Sequence, residues 1–155
     1  MEVRSAGEAL YIACQMERRA IQMYERAQLL FADGPCGREI EGILQDEREH
    51  LRRFEHMGGQ AEGFVTRQLL AARASRTLFS GGLMEAHRKG AFHSPESLYA
   101  YAAGEEEEAI RCYHAFAEKF TGDIAAAFLA IAREEEGHYA RLCALRENQK
   151  DSEES

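Results

Sequence analysis

Apolar residues recur every three or four positions along four long stretches of the chain, which is the spacing of one helical face. Gly34 and Pro35 end the first stretch, and Ser94 with Pro95 forms a typical helix start for the third. No alternation typical of a β-strand is present, so the pattern predicts an all-α fold. The predicted helices cover residues 3 to about 32, about 37 to 57, 94 to about 120, and about 123 to 146.

The segment between the second and third predicted helices carries a much weaker pattern. It spans 36 residues, from 58 to 93, and Leu69, Leu70, Leu78 and Leu83 suggest one or two short helices, broken near the Gly-Gly pair at 81–82. So long a connection does not suit a tight turn. It fits a crossover that runs the length of a bundle, which would make the second and third helices parallel. We therefore expect a four-helix bundle with one long crossover.

Ionisable residues interrupt the apolar faces of these helices. Glu47 and His50 stand in the stripe of the second helix, Glu135 and His138 stand in that of the fourth, and Glu17 is a lone carboxylate in the first. A Glu and a His three positions apart point the same way from a helix. Both side chains are ligands that transition metals accept. Two such pairs, each within an apolar stripe, favour a metal site inside the bundle.

The two halves of the chain repeat this arrangement. The Glu-x-x-His motif recurs after 88 residues, and Glu17 and Tyr24 recur after 89 residues as Glu106 and Tyr113. Each half is therefore one helical hairpin that carries a Glu on its first helix and Glu-x-x-His on its second. This repeat indicates Glu106 as the contribution of the third helix.

Composition and charge narrow the class of protein. The chain has 155 residues and a net charge of −8, which argues against nucleic acid or an anionic membrane surface as the main partner. No apolar run approaches the length of a membrane span, and the amino terminus lacks the layout of a secretory signal. We expect a cytoplasmic protein with one domain over residues 1–148 and a polar tail over 149–155.

The four cysteines exclude one kind of iron site. They form no Cys-x-x-Cys pair, so a site of four thiolates is not encoded. Cys14, Cys112 and Cys143 lie in helical stretches, where we expect them to be small core residues. Cys36 lies in a polar turn. In chain order the cysteines are Cys14, Cys36, Cys112 and Cys143.

Carboxylates on the buried faces of the helices need positive charge close to them. Several buried carboxylates would repel one another and lose hydration worth several kcal/mol each. Two divalent cations would offset about four negative charges, and a Glu from two helices with Glu-x-x-His from two others is the ligand pattern of dimetal carboxylate bundles. Oxygen and imidazole ligands suit iron or manganese, and zinc can substitute.

The sequence resembles the di-iron domain of the rubrerythrins, within the ferritin-like superfamily. The resemblance covers the four long helices and rests on Glu17-x-x-Ala20-x-x-x-Tyr24, on Glu47-Arg48-Glu49-His50 and on Glu135-x-x-His138. It implies a ferritin-like four-helix bundle.

The third helix shows a conflict between the resemblance and the repeat. The family pattern there is Gly-Glu-x-x-Glu with a Tyr five residues on, which corresponds to Glu105, Glu108 and Tyr113. The resemblance therefore implies Glu105 and Glu108 as ligands, with Glu106 as the alternative. A π-bulge near Glu108 would let one apolar stripe lead into the other.

The resemblance also implies roles for the individual residues. Glu47 and Glu135 would bridge the two metals, and Glu108 would move in when the metals are oxidised or when His50 leaves. Tyr24 and Tyr113 would donate hydrogen bonds to ligand carboxylates and orient them. The implied ligand set is Glu17, Glu47, His50, Glu105, Glu108, Glu135 and His138.

The implied activity is peroxide reduction at two iron ions. The chain lacks the four-thiolate domain that supplies electrons in most rubrerythrins, so a separate rubredoxin or flavin reductase would be the donor. The resemblance also suggests a homodimer. One alternative is a ferritin-like protein that oxidises iron(II) with dioxygen or peroxide and stores or delivers the iron. Another is a scaffold bundle without metal chemistry.

Overall fold

The computed structural model describes residues 3–59 and 82–154. No strand lies within these ranges, and the predicted all-α, ferritin-like bundle is confirmed. A π-helical turn, Glu55–Gly59, directly follows the helix that ends at Phe54. The α-helices are α1 (Ala6–Leu30), α2 (Cys36–Glu39), α3 (Glu41–Phe54), α4 (Gly82–Arg88), α5 (Pro95–Lys119) and α6 (Gly122–Glu154).

Local sequence signals set the ends of the long helices. The Ser5 hydroxyl accepts a hydrogen bond from the Glu8 backbone N–H at 3.1 Å, which caps α1. Ser94 caps α5 in the same way, again at 3.1 Å, with Pro95 at the first helical position. Gly122 has a φ of 70°, a conformation that favours glycine, where the chain passes from α5 into α6.

Two apolar clusters show how the helices run. The first cluster joins Ile12 of α1 and Phe54 of α3 to Phe116 of α5 and Phe128 of α6. It therefore contains the start of α1, the end of α3, the end of α5 and the start of α6. The second cluster contains the opposite ends of the same helices, with members such as Ala27, Ile40, Leu98 and Leu142.

The membership of the clusters determines the topology. Helices α1 and α3 are antiparallel, and so are α5 and α6, whereas α3 and α5 run in the same direction. Parallel α3 and α5 require the long crossover predicted from the sequence. Residues 60–81 of that crossover, with Leu69, Leu70 and Leu78, lie outside the described residues. Its final part contains the short helix α4, which starts at Gly82.

Four local features differ from the sequence predictions. The second predicted helix is divided at Ile40 into α2 and α3, and α6 continues to Glu154 instead of ending near Arg146. Cys36, predicted in a polar turn, begins α2 and is fully buried. Helix α5 is continuously α-helical, so the predicted π-bulge near Glu108 is wrong.

Within the described ranges, no helix is long and apolar enough to cross a membrane.

Candidate metal centre

A buried polar layer lies between the two apolar clusters. Each of the four long helices contributes to it at the level where its apolar stripe is interrupted. None of the six residues is more than 6% exposed. They are Glu17 from α1, Glu47 and His50 from α3, Glu106 from α5, and Glu135 and His138 from α6.

These side chains form two interlocking groups of four. Within each group, one ligand atom from every member lies within 4.8 Å of the others. Glu47 and Glu135 belong to both groups. We call the set Glu17, Glu47, His50 and Glu135 the His50 group, and the set Glu47, Glu106, Glu135 and His138 the His138 group.

The imidazoles face the shared carboxylates through the same ring atom. His50 Nδ1 lies 3.0 Å from Glu135 Oε1 and 3.3 Å from Glu47 Oε1. His138 Nδ1 lies 3.2 Å from Glu47 Oε1 and 3.3 Å from Glu135 Oε1. The ring centroids are 5.8 Å apart. Both Nδ1 atoms therefore point at the centre of the layer, and both Nε2 atoms point away from it.

The structure brings Glu17, Glu47, His50, Glu135 and His138 together, as the sequence predicted for its ligand set. Their chain order and spacing were enough to find them because each interrupts an apolar helical stripe. The stripe reports which side of the helix is buried. The five residues therefore share the interior for the same reason that their apolar neighbours do.

The structure places the acidic residues of α5 differently from the ligand set that the resemblance implies. Glu106 joins the cluster and is 2% exposed, whereas Glu108 pairs with Arg111 on the surface. Glu105 is partly buried beside Tyr101 and lies outside both groups. Because α5 has no π-bulge, successive residues turn by about 100° and only one of the three reaches the centre. The internal repeat indicated Glu106, the residue that the structure brings into the cluster.

The two tyrosines cross from one hairpin to the other. Tyr24 Oη donates a hydrogen bond to Glu106 Oε1 at 2.7 Å, and Tyr113 Oη donates to Glu17 Oε1 at 2.7 Å. Both phenols are fully buried. Each hairpin therefore orients the terminal carboxylate that the other hairpin supplies.

Two acids that the sequence analysis missed stand behind the imidazoles. His138 Nε2 lies 2.9 Å from Asp46 Oδ2, and His50 Nε2 lies 3.5 Å from Glu134 Oε1. Arg53 Nη1 donates a hydrogen bond to Glu134 Oε2 at 2.7 Å. Asp46 and Glu134 each precede a Glu-x-x-His motif and are 88 residues apart. The repeat could therefore have indicated them as an equivalent pair.

Burial and mutual repulsion alter the protonation of the carboxylates. Burial and the charge of Glu47 raise the pKa of Glu17 to about 8, and the same two effects raise the pKa of Glu106 to about 7. Burial and Glu106 raise the pKa of Glu135 well above its usual value. Burial also acts to raise the pKa of Glu47, but its contacts with the imidazoles of His138 and His50 outweigh burial and the net shift is downward.

The pKa values of both imidazoles are also raised, which favours the positively charged ring. Burial favours the neutral ring, but contacts with the carboxylates of Glu17 and Glu47 outweigh it and raise the pKa of His50 to about 11. Contacts with Glu47 outweigh burial at His138 and raise its pKa to about 9. In the absence of another cation, protons are therefore the positive charge that holds this layer together.

The inner atoms of the layer fit a pair of metal ions. Buried polar atoms are normally hydrogen-bonded, and one left without a partner costs about 1–3 kcal/mol. Four carboxylates and two imidazoles suit divalent iron or manganese. The buried atoms without a hydrogen-bond partner include Glu17 Oε2, Glu47 Oε1, His50 Nδ1, Glu106 Oε2, Glu135 Oε1 and His138 Nδ1.

Comparison with known protein families agrees with this geometry. A family model described as Rubrerythrin matches residues 98–155. Over these residues the chain is similar to the rubrerythrin family. The match contains Glu106, Glu135 and His138, and the structure supplies the other half of the cluster from α1 and α3. Comparison with curated proteins and with solved structures gives no match.

The rubrerythrin match gives the cluster a chemical meaning. It indicates iron binding and oxidoreductase-type chemistry. The buried donors are of the type that such chemistry needs, and each hairpin contributes three of the six. The segment that matches the Rubrerythrin model therefore supplies one half of the candidate metal centre.

Proposed function

We propose that this protein binds two iron ions in the buried layer and uses them to reduce hydrogen peroxide to water, with electrons from a separate donor. The observation that carries the proposal is the pair of interlocking groups, which share Glu47 and Glu135 and whose inner atoms lack hydrogen-bond partners. The rubrerythrin-family match supports the choice of iron.

Each group would hold one ion, with Glu47 and Glu135 shared between them. Glu17 and His50 would complete one position, and Glu106 and His138 the other. When bound, two iron(II) ions supply the two electrons that, with two protons, convert one hydrogen peroxide molecule into two water molecules. Carboxylate and imidazole ligands are suited to both iron oxidation states.

The side chains around the ligands would position them and limit access. Tyr24 and Tyr113 hold the terminal carboxylates Glu106 and Glu17 through buried hydrogen bonds. With a metal bound, Asp46 would accept a hydrogen bond from a proton on His138 Nε2, which would leave the Nδ1 lone pair free to bind the metal. Since the six donors are nearly inaccessible, only a small oxidant such as peroxide or dioxygen suits the site.

Rapid mixing of the anaerobic, iron(II)-loaded protein with peroxide or with dioxygen tests the proposal. We expect two irons per chain, oxidation of both by one equivalent of peroxide, and a faster reaction with peroxide than with dioxygen. A matched control is Glu107→Gln, because Glu107 is exposed one position from Glu106. Failure to bind iron, or a reaction no faster with peroxide than with dioxygen, would overturn the proposal.

A second function, ferritin-like oxidation and handling of iron(II), is favoured by one observation. Glu105 and Glu108 lie outside the cluster, so each group has a single terminal carboxylate from α1 or α5. This is the general donor set of ferritin-like carboxylate bundles, without an additional carboxylate to exchange on oxidation. Faster reaction with dioxygen, followed by release of iron(III) or growth of a mineral core, would establish this function instead.

The partners follow from the same proposal. A rubredoxin or flavin reductase would return the centre to iron(II), and the protein would act in the cytoplasm as a homodimer. Steady-state peroxide consumption with a rubredoxin and its reductase tests the electron supply. Sedimentation of the iron-loaded protein tests the dimer, for which a monomer at micromolar concentration would be the contrary result.

A further inference from the structure

The acids behind the two imidazoles are equivalent in the repeat but not in their contacts. The Asp46 Oδ2 to His138 Nε2 distance of 2.9 Å is a hydrogen bond. The Glu134 Oε1 to His50 Nε2 distance of 3.5 Å is too long for one, and His50 Nε2 is buried without a hydrogen-bond partner. The His138 ring is therefore fixed from behind, and the His50 ring is not.

Arg53 accounts for this difference. Its guanidinium donates to Glu134 Oε2 at 2.7 Å, and a hydrogen bond between two charged groups is stronger than one from a neutral imidazole. The pairing also neutralises the carboxylate that faces His50. Glu134 and Arg53 are each only partly exposed, so solvent screens this contact less than a fully exposed pair.

The other hairpin carries an arginine at the equivalent position that does not compete. Arg141 follows Arg53 by 88 residues, and it pairs with Glu39 instead of Asp46. Among the ion pairs of the described residues, Asp46 meets only His138. The two hairpins therefore use equivalent arginines differently, and only one of them reaches the acid behind an imidazole.

Hydrogen bonds behind a ligand imidazole orient the ring and increase its basicity, and their loss typically weakens metal binding 10–100-fold. We propose that Arg53, by holding Glu134 away from His50, makes the His50 group the weaker of the two metal positions. This position is filled second and emptied first. Arg53 is thus a positioning residue, which acts through Glu134 and His50. The inference rests on the proposed metal binding.

Stepwise titration of the metal-free protein with cobalt(II), followed by its visible spectrum and by calorimetry, tests the inference. We expect two binding steps in the wild type that differ at least tenfold in affinity. His50→Ala should remove the weaker step and His138→Ala the tighter one, which assigns the steps to the two groups. Arg53→Gln should tighten the weaker step about tenfold and leave the tighter step unchanged.

The matched control is Arg141→Gln, which removes the same charge from the equivalent position and should change neither step. Combining Arg53→Gln with Glu134→Gln should abolish the gain, because the gain requires the freed carboxylate. Asp46→Asn should weaken the tighter step. Thermal unfolding of each variant verifies that it folds.

The possible failures are distinguishable. A wild-type protein that binds no cobalt or iron would overturn the proposed function together with this inference. Two steps of equal affinity, or an Arg53→Gln variant in which the weaker step is unchanged or weaker still, would overturn only the role of Arg53. An equal gain in Arg141→Gln would show a general effect of charge and would likewise exclude that role.

Discussion

The hairpin of α1 and α3 and the hairpin of α5 and α6 carry the same chemistry with different surroundings. Each supplies one Glu, one Glu-x-x-His motif and one Tyr that donates a buried hydrogen bond to a carboxylate. Each also supplies the outer contacts of the other, since Tyr24 serves Glu106 and Tyr113 serves Glu17. The centre is therefore a product of the interface between hairpins, and neither hairpin contains a complete group.

The difference between the hairpins lies in partly exposed residues. Arg53 reaches Glu134, whereas Arg141 pairs with Glu39. Buried donors are constrained by packing and by the cost of an unpaired charge, so they remain equivalent. Exposed residues are subject to weaker constraints, and there the two halves diverge. The comparison suggests that ligand identity is set inside the bundle and that relative affinity is adjusted at its surface.

The largest effect is expected from removing a carboxylate that both groups share. Glu47→Ala or Glu135→Ala should abolish binding of both metals, because each residue belongs to both groups. The two variants should be equally defective if the hairpins are equivalent. Metal analysis of the anaerobically loaded proteins measures this. Retention of two metals at wild-type affinity in either variant would refute the assignment of shared ligands.

A smaller effect should follow from changing one terminal carboxylate. Glu106→Gln should weaken the His138 group by at least tenfold and leave the His50 group occupied, since Glu106 belongs to only one group. Glu105→Gln and Glu108→Gln are matched controls on the same helix and should retain two metals. Metal content and stepwise affinity are the measurements. Loss of metal in a control, with Glu106→Gln unaffected, would restore the ligand set implied by the resemblance.

The protonation of the layer predicts a pH dependence for the metal-free protein. Burial raises the pKa of Glu17 to about 8 and that of Glu106 to about 7, so the folded chain retains protons that the unfolded chain releases above about pH 4.5. The free energy of unfolding should therefore decrease as the pH rises from about 4.5 to about 8. The raised pKa of His138, about 9, adds a further loss at higher pH in the same direction.

Thermal unfolding at about pH 5 and about pH 8 measures this effect, and we expect a midpoint lower by several degrees at the higher pH. Two equivalents of a divalent metal should remove or reverse the trend, because metal replaces the protons and binds more tightly as they leave. A metal-free protein that is equally stable or more stable at pH 8 would contradict the proposed origin of the pKa shifts.

The smallest expected effect concerns the crossed tyrosines. Tyr24→Phe and Tyr113→Phe each remove a buried hydrogen bond to a carboxylate, at a cost of about 1–3 kcal/mol in the free energy of unfolding. The symmetry of the hairpins predicts similar losses in both variants. Chemical denaturation measures them. A loss confined to one variant would show that the two outer contacts are not equivalent.

Much of the candidate site could be predicted from the sequence because helical periodicity indicates which face of each helix is buried. Glu17, Glu47, His50, Glu135 and His138 each interrupt an apolar stripe, and all five lie in the cluster. The parallel arrangement of α3 and α5 also followed from the length of the connection between them. These predictions depend only on local spacing and chain length.

The choice within the acidic run of α5 could not be made from a family pattern. Four consecutive Glu residues, 105–108, surround the helix, so their spacing permits either solution. Ala102, Ala109 and Tyr113 pack inward in an unbroken α-helix, and this places Glu106 inward with them. Helix phase at this point depends on whether a bulge forms, which packing decides.

By itself the sequence determined four helices, their buried faces and the five donors that interrupt them, because a residue's direction from a helix depends on its position alone. Tertiary structure decided which residue of α5 joins them and which arginine reaches Glu134. Those outcomes depend on the rotation and separation of helices from different hairpins. A contact between partly exposed side chains 81 residues apart, such as that of Arg53 with Glu134, exists only once the hairpins have packed.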